Sequence, residues 1–399
     1  MRSRLIFVLI SLLFVLPIVS GTVSARDLKG AGDDDSIFKH LAVFTEVLSL
    51  VQQAYVEPME DEALILSALD GATDALDPFS IYVPADGVEE YAAAREVGSG
   101  HSGLYLLRER GVAYVVGVEK GSPADRAGLR IGDIVSQIQG LATRVTPLWE
   151  IHRMLAQKQG TQITLQVLRG QDQLTKNFVL ETFEVPPVSF ETLEEEGTGL
   201  LTLHEFSTNT ADEVSEALTT ARAANIDRLM IDLRGVPGGA AEVAYQVAGL
   251  LAEGDLGALT ERGNAVVSFR GNEPRWSGER LVVLTNRGTL AAAEIFATIL
   301  RQKLDASLVG ERTFGYAGRL KRVDLSTGGH LWITDAFYTG PDASPLNDSL
   351  MPDVQVSDSR LHHGRAQGDG KMKDEIFDRA LEVLTSDAPE EMTDAQAAA

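Results

Sequence analysis

The sequence predicts a mixed α/β protein, a layered domain of strands and helices with an inserted β-rich domain and flanking helices. Three observations predict it. Over residues 188–360, strand-like runs alternate with amphipathic stretches, the pattern of an α/β layer. Between about 95 and 185, short apolar runs are instead separated by Gly turns. Before both, residues 36–75 carry apolar residues at helical spacing.

Taken in chain order, the first segment is an address. Arg2 and Arg4 precede an apolar run from Leu5 to Val19, and Val23-Ser24-Ala25 offers a small-residue cleavage site. This is the layout of a secretory signal peptide over 1–25 and predicts export; the alternative is an uncleaved inner-membrane anchor. An N-terminal helical region follows over 26–92. Ile37, Leu41, Phe44, Val47, Leu48 and Val51 form one stripe, with Ser36 as the expected N-cap, and a second helix is expected over 60–75. The β-rich domain, 93–185, has runs at Gly103 to Leu107, Val112 to Val118, Ile131 to Ile138, Ile163 to Leu168 and Asn177 to Leu180. Helical patches lie near Pro123–Ala127 and Trp149–Gln157, and Pro186-Pro187 marks the boundary. In the α/β domain, 186–360, strands are expected at Leu200 to Phe206, Arg228 to Leu233, Leu281 to Leu284, Ala306 to Val309 and Leu331 to Thr334. Helices are expected at about 210–224, 240–252 and 290–303. Residues 361–399 read as a polar loop, a helix over Asp374 to Leu384 and an acidic tail.

Composition narrows the function. The 399 residues are 44% apolar and 23% charged, which fits two or three globular domains and excludes a disordered or multi-span chain. Lys+Arg number 35 against 58 Asp+Glu, a net charge of −23, and no basic patch stands out, so nucleic acid is not an expected partner. The absence of Cys removes disulfides, thiol catalysis, iron–sulfur clusters and Cys-type zinc sites. The His residues show no metal-ligand spacing, and His362-His363 sit in a polar stretch; no metal or cofactor is expected.

Gly121-Ser122-Pro123-Ala124-Asp125-Arg126-Ala127-Gly128-Leu129-Arg130-Ile131-Gly132-Asp133-Ile134 resembles the G-S-P-A-x-x-A-G-L-x-x-G-D-x-I segment of bacterial protease-type PDZ domains. The resemblance implies a module that adds a peptide's C-terminal strand to its sheet edge, the terminal carboxylate held by loop amides. It aligns that loop with His101-Ser102-Gly103-Leu104, where His101 and Ser102 replace the first two residues of G-I-G-h. His152 falls on the groove helix.

Four more segments, in order, resemble the tail-specific, or C-terminal processing, serine peptidases. Leu76-Asp77-Pro78-Phe79-Ser80-Ile81-Tyr82 is similar to L-D-P-H-S-x-Y, and Asp232-Leu233-Arg234-Gly235-Val236-Pro237-Gly238-Gly239 to D-L-R-x-N-P-G-G. Gly310-Glu311-Arg312-Thr313-Phe314-Gly315 is similar to G-E-x-T-F-G, and Met351-Pro352-Asp353 to the closing I-x-P-D. The resemblance implies a Ser nucleophile in G-T-A-S-A-S-E-I, and a Lys base with an orienting Gln in G-K-G-x-x-Q. Here those segments read Gly288-Thr289-Leu290-Ala291-Ala292-Ala293-Glu294-Ile295 and Gly315-Tyr316-Ala317-Gly318-Arg319-Leu320. The three catalytic positions thus hold Ala291, Tyr316 and Leu320. Ala291 has no nucleophilic atom, and a phenol of reference pKa about 10 is a poor base at neutral pH. Loss of a serine-protease nucleophile costs about 10⁶ in turnover. Ala291-Ala292-Ala293 is expected to pack a helix.

Gly238 and Gly239 would, by resemblance, present oxyanion-hole amides; a tight turn needing Gly is the other reading. A displaced catalytic set would have to come from Thr289, Ser307, Lys321, His204 or His330, and Lys321 is expected to face away from the base position. The combined expectation is an exported pseudopeptidase, most simply periplasmic, that binds protein C-termini or unfolded chains. The alternatives are an active endopeptidase with a displaced nucleophile, and a non-catalytic partner forming a homodimer or a complex with an active relative.

Overall fold

The computed structural model describes residues 34–94, 100–272, 274–276, 278, 280–357 and 374–386. The predicted signal peptide, the polar loop with His362-His363 and the acidic tail lie outside them. The chain divides into two units at residue 65. The first contains helix α1, Asp34–Ala54, which already begins at Asp34, so Ser36 lies inside the helix rather than capping it. Its apolar residues Ile37, Phe38, Leu41, Phe44, Val47 and Leu50 are exposed. No helix among the described residues is long and apolar enough to cross a membrane.

Helix α2, Asp61–Asp74, runs on into the second unit, where strand β1, Ile81–Val83, and helix α3, Val88–Ala94, follow. The inserted domain then comprises β2, Gly100–His101, β3, Leu104–Glu109, β4, Val112–Val118, and a one-turn helix α4, Pro123–Arg126. It continues with β5, Ile134–Ile138, β6, Leu141–Ala142, helix α5, Leu148–Leu155, β7, Ala156–Gln157, β8, Gln162–Arg169, and β9, Asp172–Val179. Strands pair in the order β3-β4-β5-β8-β9, with β6 on β5, around a core that includes Leu106, Val135, Ile138, Ile151, Ile163 and Leu165. Helix α4 starts as its sequence dictates: Ser122 Oγ accepts from the Asp125 amide at 3.2 Å and Pro123 sits in the first turn. Arg108, 4% exposed, anchors β3 outward. It pairs with Asp70 of α2 at 2.5 Å and Asp74 at 3.4 Å, and donates to the Thr146 carbonyl at 2.7 Å.

After Pro186-Pro187 come β10, Val188–Thr192, β11, Thr198–Leu203, helix α6, Thr210–Ala223, β12, Arg228–Asp232, and helix α7, Ala241–Ala248. A hairpin of β13, Gly254–Glu261, and β14, Asn264–Gly271, precedes β15, Arg280–Thr285, helix α8, Ala292–Leu304, and β16, Ser307–Gly310. The last strands are β17, Gly318–Asp324, β18, His330–Tyr338, and β19, Val354–Gln355, before helix α9, Glu375–Thr385. One sheet has the order β10-β11-β12-β15-β16-β19, with every pair after β10 parallel. Both faces are buried, which is why its strands are apolar at successive positions. In β12, Leu229 and Ile231 join the core with α6, α7 and α8, while Met230 faces Ile376, Ala380 and Leu384 of α9.

A second sheet, β1-β18-β13-β14 with β17 on β18, joins chain segments from either side of the inserted domain: Ile81 stands opposite Trp332. The β13–β14 hairpin and β17 have no counterpart in the predicted strands. Strand β14 is exposed along most of its length, adjacent Val266 and Val267 included, so it gives no apolar run of the kind expected of a buried strand.

Candidate functional site

The carboxyl ends of adjacent parallel strands are where an open α/β sheet can place a site. Here β12 runs out into Asp232-Leu233-Arg234-Gly235 and β15 into Asn286 to Ala291. Asn286 joins the two loops, its Oδ1 accepting from the amides of Gly235 at 3.0 Å and Gly288 at 2.9 Å. At the end of the second loop the chain turns sharply into α8. Ala291 is not part of that helix, contrary to the sequence expectation. It is the N-cap residue, with φ 51° and ψ −110°, a conformation that strains any residue with a Cβ. Only Ala292 and Ala293 pack in the helix, fully buried.

The turn is held by Glu294, which is 1% exposed. One of its oxygens accepts from the Ala291 amide at 3.0 Å and the Tyr316 amide at 3.0 Å. The other accepts from the Gly315 amide at 2.6 Å and from the Thr313 hydroxyl. Burial pushes the Glu294 carboxyl up to about 7, and these hydrogen bonds oppose the rise. One carboxyl therefore fixes both the nucleophile position and the base position.

The base position is aromatic in full. The Tyr316 ring stacks on Phe79 at 5.0 Å and 24° and meets Phe337 edge-on at 5.5 Å; Phe79 in turn meets Phe314 edge-on at 5.9 Å. Burial, then the nearby Asp77 carboxylate, raises the phenol further from the range of a neutral-pH base. Phe79 stands where the family motif has His. Leu320 lies on β17 opposite Thr334, just past a bulge, and is 40% exposed.

The space beside Ala291 is filled. Leu290, at a position the family motif gives to Ala, is buried with Leu107 and Val116 of the inserted domain, and Phe79, Ala291 and Phe314 pack against them. The approach is close: a Cβ on Gly288 would stand 2.5 Å from the Val116 carbonyl oxygen and 2.6 Å from Ile131 Cδ1.

Gly238 and Gly239 have φ 140° and 116° and precede α7. Gly239 pairs with Phe206, and a Cβ there would lie 2.7 Å from Phe206 backbone atoms, so close strand approach alone requires glycine. The displaced candidates are dispersed. Thr289 is fully buried, its hydroxyl donating to the Leu233 carbonyl at 2.8 Å and accepting from the Asn286 amide at 3.1 Å. Lys321 points outward to Asp335 at 3.5 Å, His330 lies 3.3 Å from Asp324, and Ser307 sits on β16 beside Val282.

His101, Ser102 and Gly103 line a cavity of about 1210 Å³, which the inserted domain shares with the α/β domain; Tyr105, His152 and His204 line it too. Tyr105 donates its hydroxyl to Glu119 at 2.5 Å, and burial raises both groups, with Glu205 adding to each. His204 is pushed down by burial and by Lys120, against Asp232 and Glu205. Leu104 begins β3 and belongs to the inserted domain's core. No group of three or more His, Cys, Asp or Glu among the described residues could hold a metal ion.

Sequence reasoning missed Glu294, Phe79 and Leu290. Each sits in a motif whose letters were visible, but their joint packing joins residues more than two hundred positions apart.

Residues 197–356 match peptidase family S41 and residues 114–169 match a PDZ domain. With the strand-flanked insertion and the elbow at Ala291, these matches define a peptidase-fold protein with an inserted PDZ module. Residues 197–356 thus form a peptidase family S41 domain joined to a PDZ domain, the combination of the C-terminal processing, or tail-specific, serine peptidases that the chain resembles. The chain is similar to a protein of Staphylococcus epidermidis (strain ATCC 12228 / FDA PCI 1200) named "Probable CtpA-like serine protease", 25% identical over 363 residues, 88% of this chain and 72% of the relative. A protein of the same name in Staphylococcus aureus (strain COL) is 23% identical over 348 residues, 86% of this chain and 69% of the relative. Among solved structures, the photosystem II D1 C-terminal processing protease shares the fold: TM-score 0.67 at 24% identity, over 87% of this chain and 97% of that one.

Proposed function

We propose that this chain is a pseudopeptidase, which binds polypeptide C-termini or unfolded chains without hydrolysing them. The observation that carries the reading is Ala291 at the strained elbow, the position where the family motif has its nucleophile. Tyr316 and Leu320 supply neither a base nor its orienter, and the Tyr316 ring is engaged in an aromatic stack with Phe79 and Phe337. Thr289, the candidate nearest the elbow, has its hydroxyl engaged twice in a fully buried place, which weighs against a displaced nucleophile. The binding half of the reading rests on the PDZ module and the large cavity beside its loop. The same reading includes export to the periplasm, on the strength of the signal-like segment 1–25.

The test incubates the purified chain with an unfolded protein ending in apolar residues, with intact mass followed for a day and association measured in parallel. Association without cleavage is expected. Cleavage that survives repurification and disappears in Thr289→Ala would overturn the reading in favour of a displaced nucleophile.

A second reading, a scaffolding partner of another copy or of an active relative, is favoured by the exposed apolar stripe of α1. The mass of the chain in solution tests it: a strictly monomeric chain that captures no active relative would count against it.

A further inference from the structure

Among the described residues strand β3 is an edge strand, paired only with β4 on one side. Helix α5 packs along its other side, and a peptide strand added to a PDZ module enters between such a strand and helix. An added strand needs the outward-facing carbonyls of the edge as acceptors. Its terminal carboxylate needs the amides of the preceding loop as donors.

One of those carbonyls and two of those amides are already engaged. The Leu106 carbonyl accepts from His152 Nε2 of α5 at 3.1 Å, and since a carbonyl only accepts, Nε2 carries the proton. The Leu104 amide donates to Ser102 Oγ at 3.1 Å. The Ser102 amide donates to the Leu155 carbonyl at the end of α5, at 3.2 Å. Local sequence explains each of the three. The pairing of Gly100-His101 with Ala156-Gln157 draws the loop onto the end of α5. Ser102, 2% exposed, occupies a position where the related motif has Ile, which has no oxygen to offer an amide. His152 projects from the middle of α5 across the groove to the strand.

We propose that His152 and Ser102 hold the peptide groove in a self-occupied state. The His152 imidazole stands in for the amide of an incoming strand, and Ser102 Oγ stands in for one oxygen of its carboxylate. This deepens the binding reading above and rests on it. Ligand capture then exchanges hydrogen bonds one for one instead of adding them, so the groove is selective against weak strands. A bound peptide is an extended segment with a free C-terminal carboxylate.

Fluorescence anisotropy with a labelled ten-residue peptide ending in apolar residues, and its C-terminally amidated form, tests this on the purified chain. One net hydrogen bond corresponds to roughly three- to tenfold in affinity. His152→Ala should therefore bind the free-acid peptide about three- to tenfold more tightly than the native chain. His152→Gln, which keeps a side-chain N–H, should stay near native affinity, and Ser102→Ala combined with His152→Ala should bind more tightly still. Equal affinity in His152→Ala and the native chain, or equal tightening in the Ala and Gln variants, overturns the proposal.

A second measurement separates the two layers. ¹⁵N NMR of histidine-labelled protein, with His152 assigned from its Gln variant, should report a proton held on Nε2. If no variant binds peptide but Nε2 stays protonated and slow to exchange, the groove closure stands and the peptide-binding reading fails. An Nδ1-protonated or rapidly exchanging His152 overturns the closure itself.

Discussion

The elbow before α8 and the loop before β3 depart from the family motifs in opposite ways. At the elbow the scaffold is fully bonded: Ala291 has φ 51°, Glu294 accepts from four donors, and the motif positions for reactive side chains hold Ala291, Tyr316 and Leu320. At the loop the reactive groups are backbone atoms that no substitution can remove, yet two of its amides and a neighbouring strand carbonyl are occupied by the protein itself. A side-chain site is abolished by a few substitutions, and its scaffold persists because the core depends on it. A backbone site is instead masked, and a mask can be lifted.

The sharpest way to break this comparison is at Glu294. Each buried donor left unpaired costs about 1–3 kcal/mol and Glu294 accepts from four, so Glu294→Ala should destabilise the chain by roughly 4 kcal/mol or more in urea unfolding. A loss below about 1 kcal/mol would mean the elbow scaffold is not held by this carboxyl. Next in size is Gly239→Ala, where a Cβ meets the Phe206 backbone at 2.7 Å. A loss of about 2–3 kcal/mol with peptide binding unchanged is expected; normal stability would show that this turn has room to adjust.

Glu294 also predicts a pH dependence. Its carboxyl has an ordinary value of 4.5 in the unfolded chain and is raised to about 7 in the folded one. Between those values the folded state holds a proton that the unfolded state has released. Stability from this group is therefore fully present below about pH 4.5 and is lost as the pH rises through about 7. Comparing native chain and Glu294→Gln across that window should show a falling contribution only in the native chain. The smallest effect is at Ala291 itself: Ala291→Gly relieves the positive φ and should stabilise by about 0.5–1 kcal/mol, detectable as a shift in the urea midpoint. Destabilisation there would contradict strain at the elbow.

How much of this was legible in the sequence depends on whether the signal was local. The 121–135 segment, the order of family motifs and the substitutions at Ala291, Tyr316 and Leu320 are all local strings, and so is the strand–helix alternation around β11, β12, β15 and β16. The Ala triplet was legible as helix former but not as elbow, because propensity says nothing about the backbone of the residue that must turn the chain. The Phe79–Tyr316 stack and the burial of Leu290 under Leu107 and Val116 required knowing which distant segments meet. His152 was placed on the groove helix, but its bond to Leu106 depends on how closely α5 lies to β3. The β13–β14 hairpin carries bulges at two places along its ladder, so its alternation is interrupted where a period-two pattern would have to persist.

One pairing sets the order in which the molecule can be completed. Among the described residues strand β1 pairs only with β18, with Ile81 opposite Trp332, so about 250 residues must be made before that edge is satisfied. The PDZ module between them closes through much shorter loops and is free to form first. Joining β1 to β18 carries the larger loop-closure entropy and should come last. Trp332 fluorescence would register that closure as the slow phase of refolding. Until then the nascent chain bears an open strand edge, a period of exposure that any helper of its folding would have to cover.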